Sequence, residues 1–397
     1  MARTSSAAHG HWTRALLFLL ERARIGRIEV ALPGGRHSFQ GSEPGPAAEI
    51  ELRDETVARR LLVGGDVAFA EAYMDGDWES PNPAAVIEYA ARNADAIDKH
   101  LVETVWGGLL RRALHAFRAN TRFGSRRNIA YHYDLGNEFY RLWLDPTMTY
   151  SSALFEREDA TLEDAQRAKY RRLVNLMGLQ SGQSVLEIGC GWGGFAVTAA
   201  GERDCRVTGL TLSERQRDFA TRRAAEAGLA DRIDIRLEDY RDTQGLFDRI
   251  ASIEMFEAVG ERYWPVFFER MRERLTQGGI AAMQIITIAE ERFEAYRARP
   301  DFIQRYIFPG GMLPTRTHLK SLAANAGMEW KGDDGFGLDY ARTLELWRHR
   351  FVEAWPEIAR LGFDERFKRM WQYYLAYCEG GFRAGSIDVR QIVIQRS

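Results

Sequence analysis

Apolar and polar positions follow two different periods along the chain. In the N-terminal third, Trp12–Arg24 carries its apolar residues at helical spacing, and Ile28–Leu32 and His37–Gln40 flank Pro33-Gly34-Gly35 as the arms of a hairpin. Ala48–Leu52 predicts a further strand. Thr56–Val63 and Val67–Met74 predict two helices parted by Gly64-Gly65, and Pro83–Arg92 begins another with proline in its first turn. His100–Arg118 places Leu101, Val105, Leu109 and Leu114 on one helical side.

From Leu162 the pattern changes. Leu162–Gly178 is helical, with Leu162, Ala165, Leu173, Leu176 and Met177 as its apolar side. Short strand-forming runs follow at Val185–Ile188, Val207–Leu210, Ile233–Leu237, Phe247–Ile253 and Ile280–Ile288. Helical segments at Thr211–Gly228 and Trp264–Leu275 lie between them. Such runs suit strands buried on both faces, and their spacing predicts a parallel sheet covered by helices on either side. Ala289–Ala326 exceeds an ordinary crossover, is rich in aromatic residues and reads as an insertion over the sheet edge, either a lid or a lipid channel. Aromatic helices at Glu345–Trp355 and Phe367–Tyr377 and a closing strand at Ile387–Ile394 complete the chain. Their rings serve either an ordinary core or a greasy pocket.

At 397 residues the chain is long enough for two domains, and 45% hydrophobic residues can build a sizeable core. The expected division is a small α+β domain over residues 1–118, with membrane or dimer contacts, and a catalytic α/β domain over residues 119–397. With 54 basic and 56 acidic residues the net charge of -2 gives no global attraction to nucleic acid, and no nucleic-acid motif is present. A local basic run, Arg111, Arg112, Arg118, Arg122, Arg126 and Arg127, is either a solvated linker or a patch for anionic lipid. Cys190, Cys205 and Cys378 match neither a disulfide framework nor a zinc site, which points to a reducing cytosol and no metal. Ala15–Leu20 is too short to span a bilayer, and no cleavage site follows it.

The densest chemical signal is Ser184–Thr198, SVLEIGCGWGGFAVT. An apolar strand runs into a glycine turn and then a helix, bringing open backbone N–H groups beside a bound molecule. Residues that follow the strands gather at one end of such a sheet. This collects Gly189, Gly191, Thr211, Gln216, Asp239, Tyr240 and Glu257 around one crevice. Glu257 is there either a salt-bridge partner or helix cap, or a base whose proton affinity rises with desolvation. Glu254, read as one helical turn back, would titrate with it as a pair.

Ala130–Phe155, Val185–Gly194, Gly209–Gln216, Glu238–Asp242, Phe256–Gly260 and Phe382–Ile394 together resemble the cyclopropane-fatty-acyl-phospholipid synthase family and its lipid alkene methyltransferase relatives. The resemblance implies a class I methyltransferase with a Rossmann-like sheet and S-adenosylmethionine as cofactor. It implies contacts to that cofactor from Tyr150, Ser151, Glu187, Gly189, Gly191, Gly193, Thr211, Leu212, Gln216, Asp239 and Tyr240. The implied substrate is a cis double bond in a phospholipid acyl chain. The implied setting is a peripheral protein at the cytoplasmic face of the inner membrane, as a homodimer.

The family holds a bicarbonate ion as base, and here its positions depart from the pattern. Glu257 and Tyr340 are retained, Ser152 stands at the cysteine position, Ile286 at a histidine position, Ala258 where histidine is common, and Glu254 at a glycine-like position. Isoleucine's side chain cannot hydrogen-bond an anion, and Glu254 would repel one. The expectation is that bicarbonate is weak, repositioned or absent and that Glu254 or Glu257 takes the proton, giving a methyl-branched alkene or a methylene product. Cyclopropane synthesis with an altered base site and a non-catalytic lipid-binding scaffold are the alternatives.

Overall fold

A computed structural model describes residues 10–54, 56–103 (backbone alone for 97–103) and 135–397. The basic run at 111–127 and the expected 118/119 boundary lie outside these residues, as does most of the His100–Arg118 segment.

The chain groups into two units. The first contains the N-terminal residues, and also Pro300–Ile307 and Trp355–Ser386 from far along the chain. A division at one point in the sequence does not include those two returns. In this unit β1 (Ile25–Leu32) pairs antiparallel with β2 (Gly35–Gln40), the expected hairpin. β1 also pairs parallel with β3 (Glu43–Leu52), which pairs antiparallel with the short β4 (Trp78–Glu79). Thr56–Asp75 is helical on both sides of Gly65, whose φ of 67° breaks it as the glycine pair predicts. The helix Glu365–Arg383 belongs here; its Arg369 donates to the carbonyls of Tyr73 and Trp78 and to Glu79.

The second unit is built on a seven-stranded sheet in the order β10-β11-β9-β8-β5-β6-β7. Its strands are β5 (Ser184–Ile188), β6 (Arg206–Thr211), β7 (Ile233–Leu237), β8 (Phe247–Ile253), β9 (Leu275–Ile288), β10 (Met328–Gly335) and β11 (Ile387–Arg396). β5 through β9 pair parallel, but β11 runs antiparallel to both β9 and β10. The expected all-parallel sheet is therefore mixed. β10, MEWKGDDG, was not anticipated because it lacks an apolar period: only Met328 is buried.

Side chains alternate across the sheet. Val185, Val207, Ala251 and Ala282 meet the helices Leu162–Leu176 and Gly194–Arg203 on one face. Leu186, Ile188, Ile250, Met283 and Ile285 meet Trp264–Arg274 and Arg316–Asn325 on the other. The long insertion resolves into a short helix Phe293–Ala298, a π-helical turn Ile303–Ile307 and the helix Arg316–Asn325.

Candidate active site

The glycine turn follows β5. Gly189 has φ 83°, and a Cβ there would stand 2.7 Å from the Met255 side chain, so this position admits only glycine. Gly191 has φ 51°, yet a Cβ built on it meets nothing within 4 Å. The cradle above Gly191 is open, as a bound molecule requires. Gly193 caps the helix Gly194–Arg203 with φ 77°. After β6, the Thr211 hydroxyl lies 2.7 Å from Gln216 Oε1, and Leu212 is 75% exposed, an apolar side chain held out beside the turn. After β7, Asp239 is clasped by Arg241 at 2.8 and 2.6 Å, which holds its carboxyl below the usual range. Tyr240 packs its ring on Phe267. Tyr150 sits in an aromatic nest of Tyr140, Trp143 and Trp347. An open cradle, an exposed apolar residue and rings near the mouth fit a sulfonium nucleoside.

Glu187, on β5, is 2% exposed. Desolvation lifts its carboxyl to about 8, and its Oε2 has no hydrogen-bond partner among the described residues.

Beyond β8 two carboxylates converge. Glu254 has φ 48°, a left-handed conformation. It is not one helical turn before Glu257 as its spacing predicts, because the short 3-10 turn starts only at Phe256. The left-handed backbone explains why this is a glycine-like position. Glu254 Oε1 accepts from Ser152 N–H at 2.8 Å and Gln284 Nε2 at 2.7 Å; its Oε2 accepts from Tyr340 Oη at 2.6 Å. Burial raises the Glu254 carboxyl, and these donors oppose that rise. Glu257 Oε1 accepts from Ile286 N–H at 2.5 Å, while its Oε2 is buried without a partner among the described residues. Burial first, and the neighbouring Glu254 second, lift Glu257 to about 8.

Ser152 faces Glu254 with its backbone; its hydroxyl donates to the Ala153 carbonyl at 2.9 Å. Ile286 likewise contributes through its N–H and not its side chain.

Sequence reasoning missed three polar residues beneath this site. Lys169 is fully buried and donates to Ser151 Oγ at 2.5 Å. Gln284 links Glu254 to Gln391, which bonds Gln284 Oε1 at 3.0 Å. The signal was there: Gln166 and Lys169 fall inside the apolar side of their helix, and Gln284 interrupts an apolar strand.

The family model described as mycolic acid cyclopropane synthetase matches residues 121–392. The tuberculostearic acid methyltransferase UfaA1 of Mycobacterium tuberculosis is 40% identical over 356 residues, covering 87% of this chain and 82% of that one. The cyclopropane-fatty-acyl-phospholipid synthase of Escherichia coli is 35% identical, covering 98% of this chain and 95% of that one. The crystal structure of mycolic acid cyclopropane synthase CmaA1 complexed with SAH and CTAB superposes with a TM-score of 0.63 at 33% identity, covering 68% of this chain and 97% of that one. The chain thus belongs to the cyclopropane-fatty-acyl-phospholipid synthase family and is an S-adenosylmethionine-dependent methyltransferase of unsaturated acyl chains.

Proposed function

We propose that the protein transfers a one-carbon unit to a cis double bond in a phospholipid acyl chain and that Glu254 takes the proton released. The reading is carried by one observation: a carboxylate held by three donors, next in the chain to Met255, whose side chain lies against Gly189 of the glycine turn. Tyr150, Ser151, Glu187, Gly189, Gly191, Gly193, Thr211, Leu212, Gln216, Asp239 and Tyr240 would hold S-adenosylmethionine. That cofactor supplies an electrophilic sulfonium methyl. The alkene's electron pair would form the new carbon–carbon bond as the sulfur–methyl bond breaks, its pair leaving with the neutral thioether, and positive charge would develop on the neighbouring chain carbon. A carboxylate facing that carbon stabilises the charge and accepts the proton.

Bicarbonate does not fit this arrangement. Ser152 N–H, Gln284 and Tyr340 donate to Glu254, and Ile286 N–H donates to Glu257. An added anion would find these donors engaged and two carboxyl groups beside it.

The names of most relatives favour ring closure: the proton leaves the transferred methyl, and its C–H pair closes a cyclopropane. A second reading is favoured by the 40% identical relative, named as a methyltransferase. In it, loss of the proton from a chain carbon leaves a methylated alkene, or a hydride shift followed by loss from the methyl leaves an exocyclic methylene. A peripheral position on the cytoplasmic side of the inner membrane, and a homodimer, complete the proposal. Among the described residues no helix is long and apolar enough to cross a membrane.

The test is to supply vesicles of cis-monounsaturated phospholipid with methyl-labelled S-adenosylmethionine in bicarbonate-free buffer and read the products by NMR. Upfield ring protons identify the first reading and vinylic methylene or methyl signals the second. A product whose yield depends strongly on added bicarbonate removes Glu254 as base. No label in lipid overturns the function.

A further inference from the structure

Lys169 lies on the helix Leu162–Leu176, on the side that covers the sheet, and none of its surface reaches solvent. A lysine is almost never fully buried without a charged partner. Among the described residues no ion-pair contact accounts for it: its polar contact there is the neutral Ser151 hydroxyl at 2.5 Å, and its ammonium lies 4.4 Å from the centre of the Tyr170 ring. The carboxylates that act on it through space are Glu254, Asp145 and Glu187, with Glu254 the strongest. Arg223 acts on Tyr170, and Glu257 and Tyr340 face Glu254 from the remaining sides.

The connection to Glu254 is also mechanical. Ser151, which Lys169 holds, precedes Ser152, whose N–H holds Glu254 Oε1. Gln166, one turn earlier on the same helix, donates to the Ser151 carbonyl at 2.9 Å. Gln391 donates both to the Lys169 carbonyl and to Gln284, which in turn holds Glu254. Helix, loop and two strands therefore close a loop of hydrogen bonds with Lys169 at one end and Glu254 at the other.

We propose that Lys169 is a positioning residue for the proton-accepting step: its buried ammonium is the counter-charge that keeps the Glu254 carboxylate ionised and aimed, and its tie to Ser151 fixes the N–H that holds it. Nothing in this role requires Lys169 to touch substrate or cofactor. The proposal rests on Glu254 being the base.

Burial favours the protonated form of Glu254, and a nearby positive charge favours the ionised form that can accept a proton. The effect is mutual. Desolvation brings the Lys169 ammonium down to about 7, and charge on Glu254 supports charge on the lysine. Charge on either group favours charge on the other.

The experiment compares the pH dependence of kcat for the full-length enzyme and its K169M and K169R variants on unsaturated phospholipid vesicles, with E254Q as the reference. Loss of the positive charge in K169M moves the acid limb upward by about one unit or more, the size expected for removing one nearby opposite charge. K169R keeps the limb in place. An acid limb unmoved in K169M, with only the rate or the KM for S-adenosylmethionine changed, reduces Lys169 to a structural tether and overturns the proposal. Infrared titration of the wild-type enzyme needs no lysine variant. The carboxylate band that disappears in E254Q must be present at neutral pH, and its replacement by a protonated carbonyl band overturns the proposal as well. If E254Q itself retains turnover, the assignment of the base has failed, and that outcome is separate from either lysine result.

Discussion

The Tyr340 hydroxyl donates to Glu254 Oε2 at 2.6 Å, joining the first turn of the helix Gly337–Glu353 to the end of strand β8. A charge-assisted bond of this length is among the stronger ones a phenol can make. It fixes the second oxygen of a carboxylate whose first oxygen is already held twice. Glu254→Gln keeps the shape and removes the basic oxygen, so turnover should fall by about two to four orders of magnitude, the usual contribution of a positioned base. Tyr340→Phe leaves the base but frees it to swing, and a smaller loss is expected. Rates of label transfer to vesicles, with S-adenosylmethionine affinity measured alongside, separate these effects from cofactor loss.

Glu254 pays a conformational cost for its place. A side chain at φ 48° is disfavoured by about 1–2 kcal/mol, which glycine avoids. Glu254→Gly should therefore leave the melting temperature close to that of the parent, despite losing three hydrogen bonds. Activity should collapse. Removing the side chain also releases the donors Ser152 N–H, Gln284 and Tyr340, and bicarbonate or acetate should restore part of the rate. Thermal melts and anion-titrated turnover check both halves.

Glu257 makes stability depend on pH. Its carboxyl is raised from 4.5 to about 8 in the fold. The folded protein therefore binds this proton more tightly than the unfolded chain, and the associated stability is complete below about 4.5 and is lost as pH rises through about 8. Glu187, also raised to about 8, adds in the same direction. Between pH 6 and about 9 the urea midpoint of the parent should drop further than that of Glu257→Gln.

Two glycines of one turn should fail differently. Gly189→Ala drives a Cβ against Met255, 2.7 Å away, and should lower stability. Gly191→Ala meets no protein atom within 4 Å, so its main structural cost is the positive φ, about 1–2 kcal/mol. Its Cβ enters the open cradle, and calorimetric titration should show weakened S-adenosylmethionine binding in a protein that remains folded.

Much of this architecture can be read before any coordinates. The runs that become β5 to β8 are short and bounded by turn residues, and Phe247–Ile253 matches its strand end to end. The break at Gly65 and the turn at Gly189–Gly194 follow from residues with few other uses. Strand direction was not legible at β11, because an apolar run carries no sign of which way it enters a sheet. β10 escaped because its buried and exposed positions do not alternate cleanly. Within the site, Glu257 and Glu254 were legible from their place just after a strand, and Tyr340 only from the resemblance to a known family. Lys169 was passed over because a single lysine in a helix is ordinarily solvated, although its place on the apolar side of Leu162–Leu176 marks it in the sequence as its burial does in the fold.

The sheet order also ties the end of the chain to the carboxylates at its centre. Gln391 stands directly opposite Gln284 in the pairing of β11 with β9, and supplies a bond to it. A ribosome-bound chain short of that residue has its glycine turn and both carboxylates already made, yet lacks the amide that completes their support. The last strand of the sequence thus completes the support of a carboxylate whose other holders, Ser152, Gln284 and Tyr340, all come earlier in the chain.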